Sequence, residues 1–175
     1  FEENIPTNLI SKNLDLKNYI ELIQKIIRDG EKKINYHIKD ISILFDTTEI
    51  FSIDFCIRKI VDEKIIQCQD IGYLLEEAEN LISSNYKNLK ILHLITSKLY
   101  FDEKEYNEIP KEKISCNKLT IEIKCIFISL NLFNQLFESF RKISLRVKNF
   151  YCSSYVRSMD YKNLFDSYNN KIFLD

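Results

Sequence analysis

The side chains best suited to chemistry in this chain are five cysteines (Cys56, Cys68, Cys116, Cys125 and Cys152), two histidines (His37 and His93), two acidic clusters and one basic run. A structural zinc site needs Cys or His ligands at short local spacing, so that several converge on one ion. No Cys-x-x-Cys pair occurs, and neither histidine has a ligand one helical turn further on, so no metal site is expected. A nucleophilic Cys–His pair needs thiol and base within hydrogen-bond reach, and no local spacing brings a cysteine to either histidine. His93 lies between Leu92 and Leu94, which reads as a partly exposed or hydrogen-bonded side chain. Glu76-Glu77-Glu79 and Asp102-Glu103-Glu105 carry the charge of metal ligands but read as solvated faces and turns. Arg141, Lys142, Arg146 and Lys148 form a basic face opposite a Phe-rich one, either a solubilising surface or a dock for an acidic partner. No P-loop, GxSxG, HExxH or EF-hand loop is present. The expectation is no catalytic residue, no cofactor and no metal.

The apolar spacing predicts helices as the elements that position these groups. Leu16, Tyr19, Ile20, Ile23, Ile26 and Ile27 recur at helical intervals, with Asp15 as N-cap and Gly30 just past the end. A second helix is predicted over 31–45 and, after a turn at Asp46-Thr47-Thr48, a third over 50–64 on Ile50, Ile53, Ile57, Ile60 and Val61. Gln69-Asp70 opens a fourth, carrying Ile71, Leu74, Leu75, Ala78, Leu81 and Ile82. Leu89, Leu92, Ile95 and Leu99 predict another over 88–100, followed by a brief helix with Tyr106 and Ile109 that Pro110 stops. Residues 119–125 alternate as a strand does, yet Leu119, Ile123, Ile126, Phe127 and Leu130 also share a helical face. With no partner strand evident, this segment is expected to be helix. Phe133 to Phe150 and residues 154–168 complete the set.

Composition points the same way. The 175 residues are 45% hydrophobic and 29% charged, a globular balance. A net charge of -1 supplies no basic excess for nucleic acid, and no apolar run reaches the ~18 residues that cross a bilayer. Two glycines and two prolines leave little scope for positive-φ turns. The predicted fold is therefore all-α: one domain over 1–175 of stacked antiparallel helix pairs, a TPR-like α-solenoid. The rival is a small helical enzyme or ligand-binding bundle with an interior pocket.

Two segments resemble one family. Residues 88–109, through Tyr100-Phe101-Asp102 and Tyr106, are similar to the repeat containing "LVSLYFDTKRYQEA" in the non-ATPase regulatory subunit 11 family of the 26S proteasome lid, whose members carry a PCI domain. Residues 146–155, through Tyr151 and Cys152, resemble its "TANAIYCPPKLQ" region, with Ser153 and Ser154 in place of the prolines. The signalosome subunit 2 family shares the architecture. The resemblance implies the N-terminal helical arm of a non-catalytic scaffold subunit that bridges lid and 20S core in ubiquitin-dependent protein degradation, with the winged-helix PCI part not present in this chain. Its partners would be other lid subunits and the subunits of the 20S α-ring and ATPase ring, in cytoplasm and nucleus, without nucleic acid or membrane. Tyr100, Phe101, Tyr106 and Tyr151 are expected to be structural contacts between repeats.

Overall fold

A computed structural model describes residues 16–110 and 113–164. Among them are four helices and six strands: α1 (Leu16–Ile34), β1 (Asp40–Phe45), β2 (Phe51–Ile66), α2 (Cys68–Asn85), β3 (Leu89–Phe101), β4 (Lys104–Tyr106), β5 (Ile114–Ser129), α3 (Leu130–Lys142), β6 (Arg146–Cys152) and α4 (Ser153–Leu164). The expected all-α, TPR-like solenoid is overturned: the protein is mixed α/β, with two sheets. The Asp15 cap and the end of the helix expected over 154–168 lie outside the described residues. Two compact units are formed by the described residues, one from 16–44 together with 131–150, the other from 45–110 and 113–130 together with 151–164.

The larger unit is built on a four-stranded sheet in the order β2-β5-β3-β4, in which every neighbouring pair is antiparallel. β5 is its central strand, rich in Ile, Leu, Thr, Phe and Cys, with one face apolar throughout and the other polar at Lys118, Thr120, Glu122 and Lys124 before it turns apolar at Ile126 and Ile128. Its residues Leu119, Ile121, Ile123, Cys125 and Phe127 point to one face, where each is at most 1% exposed. There they meet Ile71, Leu74, Ala78 and Ile82, the apolar stripe of α2. α2 starts one residue earlier than Gln69, and Asp70 reaches back to accept the Gln67 N–H at 2.9 Å, which satisfies one of the helix's orphan donors.

In the smaller unit, α1, α3 and the two-stranded β1-β6 sheet enclose a second cluster of Ile20, Phe140 and Leu145, with Ile23, Ile27, Ile41, Ile43, Ile143 and Val147 around it. α3 ends where Ser144 adopts φ 63° and Leu145 N–H returns to the Phe140 carbonyl at 3.1 Å, closing the helix C-terminus. Gly30, expected just past the first helix, lies inside α1.

Three physical reasons account for the strands that read as helices. In β2, Phe51, Ile53, Phe55 and Ile57 alternate, but Ile50, Ile60 and Val61 add apolar residues that complete a helical stripe in the same segment. β3 carries two bulges, where Leu92 and Ser97 are extra residues, so its inward positions Leu89, Ile91, Leu94, Thr96, Leu99 and Phe101 are spaced by twos and threes. That spacing imitates the helical period. The third reason concerns glycine: the positive-φ positions are occupied instead by Asn35, Asp62, Glu63, Asp102 and Ser144, so a low glycine count did not exclude sharp turns. The brief helix expected at Tyr106 and Ile109 is the hairpin strand β4 followed by a bend.

Candidate functional site

The tertiary fold creates a contact that no local spacing announces. His93, on β3, accepts the Cys152 N–H on Nε2 at 2.9 Å. Its ring lies against Tyr151, with centroids 5.8 Å apart and planes 20° apart, and against Tyr155 at 4.6 Å. Because Nε2 accepts, the neutral ring carries its proton on Nδ1, and burial holds the imidazole below its usual pKa. The Cys152 thiol sits 3.2 Å from Asp46 Oδ1. Asp46 Oδ2 takes the Ser154 N–H at 2.8 Å and the Ser154 hydroxyl at 2.7 Å, capping the start of α4. Burial, with the Asp46 charge adding to it, pushes the Cys152 thiol up. A histidine whose Nε2 is occupied by a backbone donor, beside a buried protonated thiol, is a structural clasp in which neither group is poised for nucleophilic attack.

The sheet face away from α2 has a different character. On it β2 places Asp54, Cys56 and Arg58, β5 places Lys118, Thr120, Glu122 and Lys124, and β3 places Lys98 and Tyr100. The charges are interleaved rather than pooled. Lys124 bonds Asp54 at 3.2 Å, Lys98 bonds Glu105 of β4 at 3.0 Å, and the Tyr100 hydroxyl donates to Glu122 Oε1 at 3.1 Å. Burial and the Glu122 hydrogen bond keep Tyr100 a neutral phenol, and Glu105 keeps Lys98 charged. Arg58 and Lys118 have no carboxylate partner among the described residues. Between them Thr120 is 7% exposed, and its hydroxyl oxygen has no hydrogen-bond partner. At the other end of this face, Tyr155 of α4 lies over His93, so the polar stretch around Tyr100 and Thr120 is its open part.

The remaining sequence-expected residues fall as follows. Phe101 is 4% exposed and meets Tyr106 edge to face at 5.1 Å, but the two lie diagonally across one β-hairpin instead of joining two helical repeats. Tyr100, next to Phe101 along the strand, points to the opposite face. Tyr151 stacks on His93. Asp102 Oδ1 accepts the N–H groups of Asn117 and Lys118 at 3.0 and 2.9 Å, which ties the hairpin turn to β5. Glu77 bonds Lys59 at 3.1 Å. In the basic run, Arg146 binds Asp40 through two nitrogens, with Nη2–Oδ2 at 3.0 Å, and Arg141 pairs with Glu138. The guanidinium of Arg146 holds the Asp40 carboxyl below the usual carboxylate range. His37 pairs with Glu31. Cys116 and Cys125 are buried core thiols, the second pushed up to about 11 by burial, while Cys56 and Cys68 are exposed. Among the described residues no three His, Cys, Asp or Glu side chains converge as metal ligands, and no helix is long and apolar enough to cross a membrane. The sequence matches no protein-family model and no curated relative.

Proposed function

We propose that this chain is a non-catalytic binding module that engages a protein partner through the open polar face of its four-stranded sheet. The observation that carries this reading is the lattice of alternating charges around Tyr100 and Thr120, in which Arg58 and Lys118 are left with unspent charge and Thr120 with an unpaired buried hydroxyl. Interleaved charges with one central aromatic suit a patterned protein surface, because charge complementarity fixes register and excludes wrong partners. The clasp at His93 and Cys152 supports the non-catalytic half, since its groups are spent on holding α4. The cleft between the start of α2 and the β4–β5 connection, lined by Phe101, Ile109 and Ile114 among others, has a volume of about 130 Å³, which is small for a ligand pocket.

The narrower expectation, a lid subunit of the 26S proteasome, drew its bridging role from a stiff helical array. Its motif residues Tyr100, Phe101, Asp102 and Tyr106 lie instead in a hairpin, so what carries over is the coarser part, a scaffold role without catalysis. The test is a native pull-down with the wild-type chain and with a Tyr100→Ala, Lys118→Glu double variant, read by mass spectrometry. The variant is expected to fold normally and to lose the proteins that the wild type retains. Retention of the same proteins at wild-type levels would overturn the proposal, and recovery of lid subunits by the wild type alone would support the narrower reading.

A further inference from the structure

We propose that two copies of this chain join edge to edge through antiparallel pairing of β2 with β2 of the second copy, about a two-fold axis at Cys56. It shares Arg58 with the proposed binding face, which in the dimer keeps Tyr100, Lys118 and Thr120 for a partner.

Among the described residues β2 is an outer strand paired with β5 alone, so its other edge presents unpaired backbone donors and acceptors. It has 16 residues, whereas strands commonly have about 5–6, and protected edges are shorter still. From Phe51 to Ile60 its register with β5 is unbroken, and only then does the positive-φ pair Asp62-Glu63 end the regular stretch. That leaves a straight, accessible template of the kind a second strand can extend.

Self-complementarity identifies the occupant. With the axis at Cys56, residue pairs across the two copies have numbers equally far from it on either side. Asp54, which also holds Lys124, then faces the partner's Arg58, and Arg58 faces the partner's Asp54, giving each otherwise unpaired Arg58 one carboxylate. On the α2 face the same register sets Phe55 against the partner's Ile57 and Phe51 against the partner's Val61, aromatic residues opposite β-branched ones, which are favourable cross-strand pairs. Ile53, Phe55 and Ile57 point towards α2 yet remain only half-buried in one copy. Moving the axis to a neighbouring residue of the strand separates Asp54 from Arg58, so the charges select one register. An isologous contact of this kind closes on itself and makes a dimer, not a fibre.

α2 supplies a second surface. Its Glu77 bonds Lys59, so the flank bearing Tyr73, Glu77 and Leu81 leans over the β2 edge. Tyr73 and Leu81 are 66% and 54% exposed and line an open hollow on that flank. One helical turn advances ~6 Å, roughly two strand residues, which brings Leu81 level with the strand near Ile57, beside the axis. Three strand spacings separate the two α2 helices by about 14 Å, with the two Leu81 side chains facing each other across the axis and Tyr73, two turns away, lying off it.

Sedimentation of the whole chain, carried in a Cys68→Ser background, tests this. At about 100 μM the chain should sediment as a dimer, as a micromolar or tighter Kd requires. Diamide should then link two copies: it accepts two electrons and two protons from the facing Cys56 thiols, which form one disulfide. Cys56→Ser should abolish the link. Arg58→Asp should weaken the dimer at least tenfold, and Arg58→Asp with Asp54→Arg should restore it, which separates a lost charge pair from a lost fold. A monomer at that concentration, a dimer that does not cross-link through Cys56, or a dimer indifferent to Arg58→Asp would each overturn the proposal.

Discussion

At the scale of single residues, His93 and Phe101 carry measurable consequences. Burial holds His93 neutral, so an unfolded chain, titrating near 6.5, takes up the proton first. Stability is then complete above that value and is lost as the pH falls through the lower folded-state value. Thermal melts should show the wild-type midpoint dropping between about pH 8 and pH 5, with a smaller drop for His93→Gln, which keeps an acceptor but cannot titrate in this range. Equal slopes would remove the clasp from the account. Phe101→Ala should cost about 3–5 kcal/mol because it empties a buried aromatic site. Tyr100→Ala, one residue away on the open face, should cost about 1 kcal/mol or less. Urea unfolding of both variants checks the contrast. The packing role expected for Phe101 could be read from its type alone, whereas the His93 clasp could not. Cys152 is 59 residues away, on a strand of the other sheet, and only the tertiary fold brings them together.

At the scale of elements, the helices were legible where one apolar stripe met one polar face. α2 and α3 show this in Ile71, Leu74, Ala78 and Ile82 and in Leu132, Leu136 and Phe140. Strands were not legible where the period of two was blurred. β5 is apolar throughout on one face and at Ile126 and Ile128 on the other, β3 is bulged at Leu92 and Ser97, and β2 has isoleucines on either side. The β-branched residues that lowered helix propensity in these segments were the available signal, and they pointed correctly to strands. The turn at Asp102-Glu103 was legible from its charged residues, although Asp102, with φ 56°, takes a position where glycine is usual. Its carboxylate holds the hairpin to β5 through two N–H groups. Asp102→Ala should therefore cost about 2 kcal/mol, the scale of hydrogen bonds to a charged acceptor. Amide exchange should quicken at Asn117 and Lys118 more than at Leu99. Unchanged exchange there would show that the turn holds without the carboxylate.

At the scale of the whole molecule, the sheet separates two kinds of surface. One face is spent on the core under α2, while the other keeps charge, an aromatic and an unpaired hydroxyl at its open end. The sequence composition correctly indicated a chain with enough apolar residues for a core, but it could not show which polar residues would share a face, because that depends on register. The claim that this face binds a partner is tested most directly by hydroxyl-radical footprinting of the chain alone and in its purified native complex, read at individual side chains. The account predicts that Tyr100 loses most of its reactivity in the complex, together with Arg58 and Lys118. A Tyr100 that reacts as fast in the complex as in the free chain, with protection appearing on other surfaces instead, would contradict it.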